Sequence, residues 1–324
     1  MKILKLITLM LLATNLTFAQ VTYYGTNAGQ GGVNSSNYGK EAGRFATGKD
    51  NVYIGALAGK TALTGQNNVG IGYAALLKTN NQNNVAIGYA SGIDNDTGGD
   101  NIFLGAHSGK RNISGSSNVY LGPVAGTNNT TGQGNIAIGR AAGGAMTNGN
   151  YNVFIGYNAG NGPDSVSNKL YIQSSHIREN DSPLIYGDFA TGQVGIGTNH
   201  IPTDVDTNMP YTLAVSGKAI IEEVQVMTRD TWYWPDYVFA DDYYLTPLND
   251  LEAQIETLGH LPGVPSAEEV ETNGHALGRM DAILLEKIEE LTLHLIDMNK
   301  EIKDLRKENT TLKSEVKALE TRNK

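Results

Sequence analysis

The chain has 324 residues, 39 of them Gly and none Cys, with a formal net charge of −9. The lack of Cys excludes disulfides, thiolate metal sites and a lipid-anchoring thiol, and the acidic balance argues against a nucleic-acid partner. Glycine this abundant, falling in register with a repeat, sets the chain apart from ordinary globular enzymes and points to a repeat architecture.

Residues 1–19 read as a cleavable export signal. Lys2 and Lys5 precede an apolar run over residues 6–13, and Thr17-Phe18-Ala19 supplies small residues where a signal peptidase cuts, so Gln20 is the expected first mature residue. Removing Lys2 and Lys5 lowers the formal charge to −11. No later stretch approaches about 18 apolar residues, so no membrane-spanning segment is expected in the mature chain.

Residues 20–50 hold degenerate repeats, expected to form an N-terminal cap, since the end units of a solenoid are atypical. Residues 51–167 carry one phrase seven times: Asn, Val or Ile, any residue, Ile or Leu, Gly. Its copies begin at Asn51, Asn68, Asn84, Asn101, Asn118, Asn135 and Asn152, and the Gly-to-Gly spacings are 17, 16, 17, 17, 17 and 17. Such a period predicts stacked coils with one short parallel strand each. Val and Ile stand two apart and share a face. Because that face is uniform while the intervening residue swings from Tyr53 through Gly70 to Phe103, the aliphatic ladder is expected to line the interior. The recurrent Asn is expected to stack from coil to coil, hydrogen-bonding to its neighbours and to the turn backbone.

The Asn-Val-Ala-Ile-Gly-Tyr-Ala-Ser string at 84–91 and its relatives resemble the head repeats of trimeric autotransporter adhesins. The likeness covers about residues 24–167. It implies a left-handed parallel β-roll, three chains side by side, on the outer surface of a Gram-negative cell. Two departures stand out: the period near 17 is longer than is common in that family, and no β-barrel anchor segment follows.

Residues 168–226 lose the period but keep short apolar runs between turn residues, which predicts a β-rich neck. Within it, the Val-Gly-Ile-Gly-Thr run at 194–198 and the Leu-Ala-Val-Ser-Gly run at 213–217 resemble a connector of Gram-negative fibre proteins and phage tail fibres. Residues 227–282 hold an aromatic cluster (Trp232, Trp234, Tyr237, Phe239, Tyr243, Tyr244), expected to form a small core rather than a sugar-stacking platform. A helix is predicted from Thr246-Pro247 to Gly259, and Ser266 with Glu269 forms a capping box. From about Asp236 to Glu290, the Asp-Tyr-Val-Phe run, the His-Leu-Pro-Gly-Val-Pro-Ser-Ala run at 260–267 and the Gly-Arg-Met-Asp-Ala run from Gly278 resemble the C-terminal, chaperone-like module of the same fibre proteins, without a serine and base constellation for self-cleavage.

Residues 283–324 follow a strict 4–3 spacing through Leu284, Ile288, Leu291, Leu295, Met298, Ile302, Leu305, Asn309, Leu312, Val316 and Leu319. This predicts a parallel coiled coil and names the oligomerisation residues. Aliphatic a positions, Leu at d and a polar Asn309 at a favour a dimer, whereas the β-roll resemblance implies a homotrimer.

No catalytic, cofactor-binding or metal-ligating set emerges. The six His, at 107, 176, 200, 260, 275 and 294, do not pair at metal spacing, and Asp94, Asp96 and Asp100 lack the terminal Glu of an EF-hand. A hexapeptide-repeat acyltransferase needs an aliphatic residue at every sixth position and a His at a subunit boundary, which spacings of 17 and 16 and an isolated His107 do not supply. The mainly β chain, a solenoid with neck, C-terminal helices and coiled coil, is therefore expected to be a non-enzymatic, secreted adhesin. The alternative is a receptor-binding fibre of a phage or contractile particle. The expected ligand is a host-surface glycan or protein, unnamed by the repeats.

Overall fold

A computed structural model describes residues 22–29, 32–162, 165–174, 182–204, 208–227 and 234–322. The export signal, Trp232 and His176 lie outside them. Contacts divide the chain into two units, residues 1–219 and 220–324.

The first unit is a solenoid built on one sheet of thirteen strands in chain order. The strands are β1 (Thr22–Tyr24), β2 (Ser36–Tyr38), β3 (Val52–Ile54), β4 (Val69–Ile71), β5 (Val85–Ile87), β6 (Ile102–Leu104) and β7 (Val119–Leu121). They continue with β8 (Ile136–Ile138), β9 (Val153–Ile155), β10 (Lys169–Ile172), β11 (Ile185–Asp188), β12 (Gln193–Ile196) and β13 (Leu213–Val215). Strands β1 to β10 pair in parallel, as a one-strand coil requires. The degenerate N-terminal copies are thus coils of the same stack. At ~4.8 Å per rung, the ten parallel strands span about 43 Å.

Two glycine columns make the coil possible. The Gly closing each phrase has φ near +130°, for example Gly55 at 125°, and a Cβ there would lie 2.5 Å from the Gly72 carbonyl oxygen of the next coil. Gly59, across the coil from the strand, has φ 56°, and a Cβ would strike the Tyr53 ring at 2.5 Å. Both positions therefore exclude a side chain by conformation and by contact.

The interior is the reverse of the expected one. In every repeat strand the middle residue is buried and the flanking Val and Ile are partly or largely exposed. The core is the variable column Tyr53, Ala86, Phe103, Tyr120, Ala137 and Phe154, packed on Ala58, Ala125, Ala142 and Ala159 from the opposite turn. A coil of about 17 residues encloses room for one strand side chain, not two, so the single inward position must hold the core. Its size is balanced locally. Where the strand offers only Gly70, Leu76 stands at the position that is Gly in other coils and fills the space, fully buried despite φ 48°.

The neck strands form where short apolar runs predicted them, and they continue the solenoid sheet. Strand β11 runs antiparallel to both β10 and β12, and β13 pairs in parallel with β12. The aromatic column also crosses the boundary, with Phe154, Tyr171 and Tyr186 at successive ring distances of 5.8 and 5.4 Å.

The second unit holds a 3₁₀ turn (Pro235–Phe239), α1 (Leu248–Leu258), α2 (Ala267–Asn273) and α3 (Leu277–Arg322). Pro247, not Thr246, takes the cap position of α1, with no side-chain cap, and Gly259 closes it at φ 76°. The predicted capping box opens α2: Ser266 Oγ accepts the Glu269 N–H at 3.2 Å, and Glu269 accepts the Ser266 N–H at 2.8 Å. Helix α3 is unbroken over 46 residues.

Candidate functional site: an outward aliphatic stripe and a helical seam

Each strand from β3 to β9 sends one side chain in and two out, and strand register stacks the outward pairs into two columns. One runs Val52, Val69, Val85, Ile102, Val119, Ile136 and Val153, and its partner runs Ile54, Ile71, Ile87, Leu104, Leu121, Ile138 and Ile155. The columns do not stop at the neck. Leu170 and Ile172 pair with Val153 and Ile155, Ile172 faces Ile185 and Ile185 faces Ile196. Val194 and Ile196 then pair with Leu213 and Val215. Reversing strand direction in β11 leaves the parity of the faces intact, so the stripe passes through. From β3 to β13 it is about 48 Å long at ~4.8 Å per rung. Ile54 is 39% exposed and Ile87 37%, while at the neck end Leu213 reaches 57%.

A contiguous outward strip of aliphatics stands out from apolar residues scattered singly over a surface. The polar groups around it are already committed. Behind the strand, Asn118 Oδ1 accepts the Asn135 backbone N–H at 3.0 Å, and Asn118 Nδ2 donates to the Gly132 carbonyl at 2.8 Å. The same pair of bonds recurs along the row from Asn51 to Asn152, all fully buried. A second buried polar row, Thr79, Asn95, Asn112 and Asn129, runs parallel to it, with Asn112 Nδ2 donating to Asn95 Oδ1 at 2.6 Å. Its spacing of 16, 17 and 17 residues was visible in the sequence but lies outside the recurrent phrase.

The heptad residues fall on one face of α3. Leu284, Ile288, Leu291, Leu295, Met298, Ile302, Leu305, Leu312, Val316 and Leu319 are each 44–62% exposed, and Asn309 is exposed among them. The aromatic cluster packs on a different side of the same helix. Pro235 and Val238 are buried there, Tyr237 Oη donates to Glu286 at 2.7 Å, and Tyr243 Oη donates to Glu290 at 2.5 Å. Lys287 Nζ bridges Glu286 and Glu290 at 2.9 Å each. The hydrogen bond to Glu286, with burial added, pushes the Tyr237 phenol up to about 12. Trp234, Phe239 and Tyr244 remain more than half exposed, so only part of the cluster forms a core.

The residues weighed for chemistry are separately occupied. Asp94 pairs with Lys78 at 2.8 Å, Asp96 accepts from Asn80 at 2.5 Å, and Asp100 accepts from Asn83 at 2.9 Å. The His107 ring meets the edge of Tyr89 at 5.2 Å. Among the described residues no cluster of three or more His, Asp or Glu could hold a metal ion, and no helix is long and apolar enough to cross a membrane. No family model, curated protein or solved structure matches the chain.

Proposed function

We propose that this chain is an exported, non-enzymatic fibrous protein that assembles as three copies side by side and presents its solenoid as an adhesin-like head. The observation that carries the reading is the pair of aliphatic columns from β3 to β13, one continuous and the other interrupted at Gly187 of β11. Fully burying a Val, Leu or Ile side chain is worth roughly 1.5–3 kcal/mol. The outward positions run from partly buried, as at Val52 and Ile71, to 57% exposed at Leu213, so each retains a fraction of that value for an interface. Ten aliphatic positions in one column and eleven in the other together act against an association cost of about 4–15 kcal/mol.

The seam on α3 supports the same reading, because a single helix leaves its heptad residues half exposed and a parallel bundle would bury them. Three copies, rather than two, is what the resemblance to adhesin heads implies. Adhesion itself follows from that resemblance together with the export signal, and the ligand class is a glycan or protein of a host surface.

Light scattering of the mature protein at micromolar concentration is expected to give three times the chain mass; a monomer at all concentrations would refute self-assembly, and twice the chain mass would refute the trimer. Deleting residues 24–167 from the native protein is expected to abolish attachment of cells to surfaces. Unchanged attachment rejects the adhesin reading, and co-purification of the intact protein with particle components would favour a receptor-binding fibre instead.

A further inference from the structure

The helix α3 carries one buried acid that none of the preceding roles uses. Glu289 is 8% exposed, and its Oε2 has no hydrogen-bond partner. It sits on the side of α3 covered by the 3₁₀ turn, between residues whose neighbours are all spoken for. Asp236 of the turn and Glu286 of its own helix both act electrostatically against its charge, and Lys287 and Glu290 neighbour it along the helix. Lys287, the cation closest in sequence, is divided between Glu286 and Glu290 and makes no ion pair with Glu289. Tyr237 and Tyr243 donate to Glu286 and Glu290 and likewise leave Glu289 alone. A buried carboxylate without a donor is unfavourable, and a second carboxylate near it makes it more so.

We propose that residues 235–244 form an acid-tightened clasp on α3, opened by ionisation of Glu289 and closed by its protonation. The charged form of Glu289 repels Asp236 across the turn and penalises burial; the neutral form removes both terms while Pro235 and Val238 stay packed. The remaining contacts hold in the same range. Glu286, although burial opposes its ionisation, is kept below the usual carboxylate range by Lys287 and Tyr237, so it still accepts the Tyr237 hydroxyl when Glu289 is neutral. Glu289 itself is pushed upward, by burial first and then by Asp236 and Glu286. The sign follows: a group whose folded-state value is raised stabilises the closed form at low pH, and that contribution is lost as pH rises through the raised value. The clasp lies away from the heptad seam, so the inference does not rest on self-association.

Hydrogen–deuterium exchange of the full-length protein between pH 4 and 8, corrected for intrinsic exchange rates, tests this. Peptides spanning 235–244 are expected to be severalfold more protected at pH 4 than at pH 8. Glu289→Gln, which keeps the shape and removes the charge, is expected to give high protection at every pH. Asp236→Asn, a change at an exposed position, is expected to flatten the profile partly. A flat wild-type profile, or a Glu289→Gln profile with the wild-type slope, overturns the proposal.

Discussion

Asn118 shows why one polar residue per coil is indispensable in a rod this narrow. Its side chain accepts from Asn135 N–H and donates to the Gly132 carbonyl while wholly buried, so the turn needs no water. Asn118→Ala would leave the Asn135 N–H without a partner in the interior, at a cost of about 2–3 kcal/mol. The expected outcome is a clear fall in the urea midpoint of the purified protein, with an unchanged midpoint showing the row to be dispensable. The residue before each ladder Asn is equally constrained. Asn67, Asn83 and Asp100 all have φ between 55 and 61°, a region that Asn and Asp enter more readily than other side chains. This explains the Asn-rich turns by backbone conformation, without invoking a ligand.

At the scale of the coil, an inward side chain missing from the strand can be supplied from the opposite turn. Most coils set an aromatic or Ala on the strand against Gly on the opposite turn; the β4 coil exchanges them, with Gly70 on the strand and Leu76 opposite. Leu76→Gly would leave a cavity costing about 3–5 kcal/mol, offset by roughly 1–2 kcal/mol from releasing a left-handed non-glycine residue. Adding Gly70→Phe to that variant recreates the Phe103 and Gly109 arrangement. A double-mutant cycle by chemical denaturation is expected to show the pair less destabilised than the two single changes summed, by at least about 1 kcal/mol. Strict additivity would mean the two positions do not share one space. On α3 the same logic of divided faces applies, with aromatic residues on one side and the heptad seam free on another.

For the whole molecule, the consequence of a single inward column is an outward one. A chain that folded its aliphatic ladder inside would have no reason to assemble through that sheet, whereas this one leaves Ile54, Ile87 and Ile138 each nearly two-fifths exposed on one face. Placing a charge mid-stripe tests the face without disturbing the core behind it. Ile138→Asp is expected to shift the assembly toward monomer in sedimentation velocity while coil circular dichroism is retained. A matched change on the opposite turn, at exposed Thr147, is expected to leave the mass unaltered. Equal behaviour of the two variants would detach the stripe from assembly. Charge is distributed along the chain in keeping with this division: residues 281–324 hold 19 charged side chains and residues 51–160 only 8, so the repeat face has little charge to oppose close approach of copies.

Periodicity determined the stacked coils, the strand positions, the hydrogen-bonded Asn row and the heptad face of α3, while apolar runs between turn residues marked the neck strands and the Ser-x-x-Glu motif marked the Ser266 capping box. Each follows from local spacing, and local spacing is what a linear text records. The sequence could not say which face of the strand turns inward, because alternation by two is symmetric and either face reads as apolar. Only the tertiary structure decided it: the cross-section of the coil admits one strand side chain per turn, and where the strand supplies only Gly70, Leu76 fills the interior from the opposite turn. For the same reason the continuity of the outward stripe into the neck was illegible, since it depends on strand pairing across a segment where the repeat period is lost.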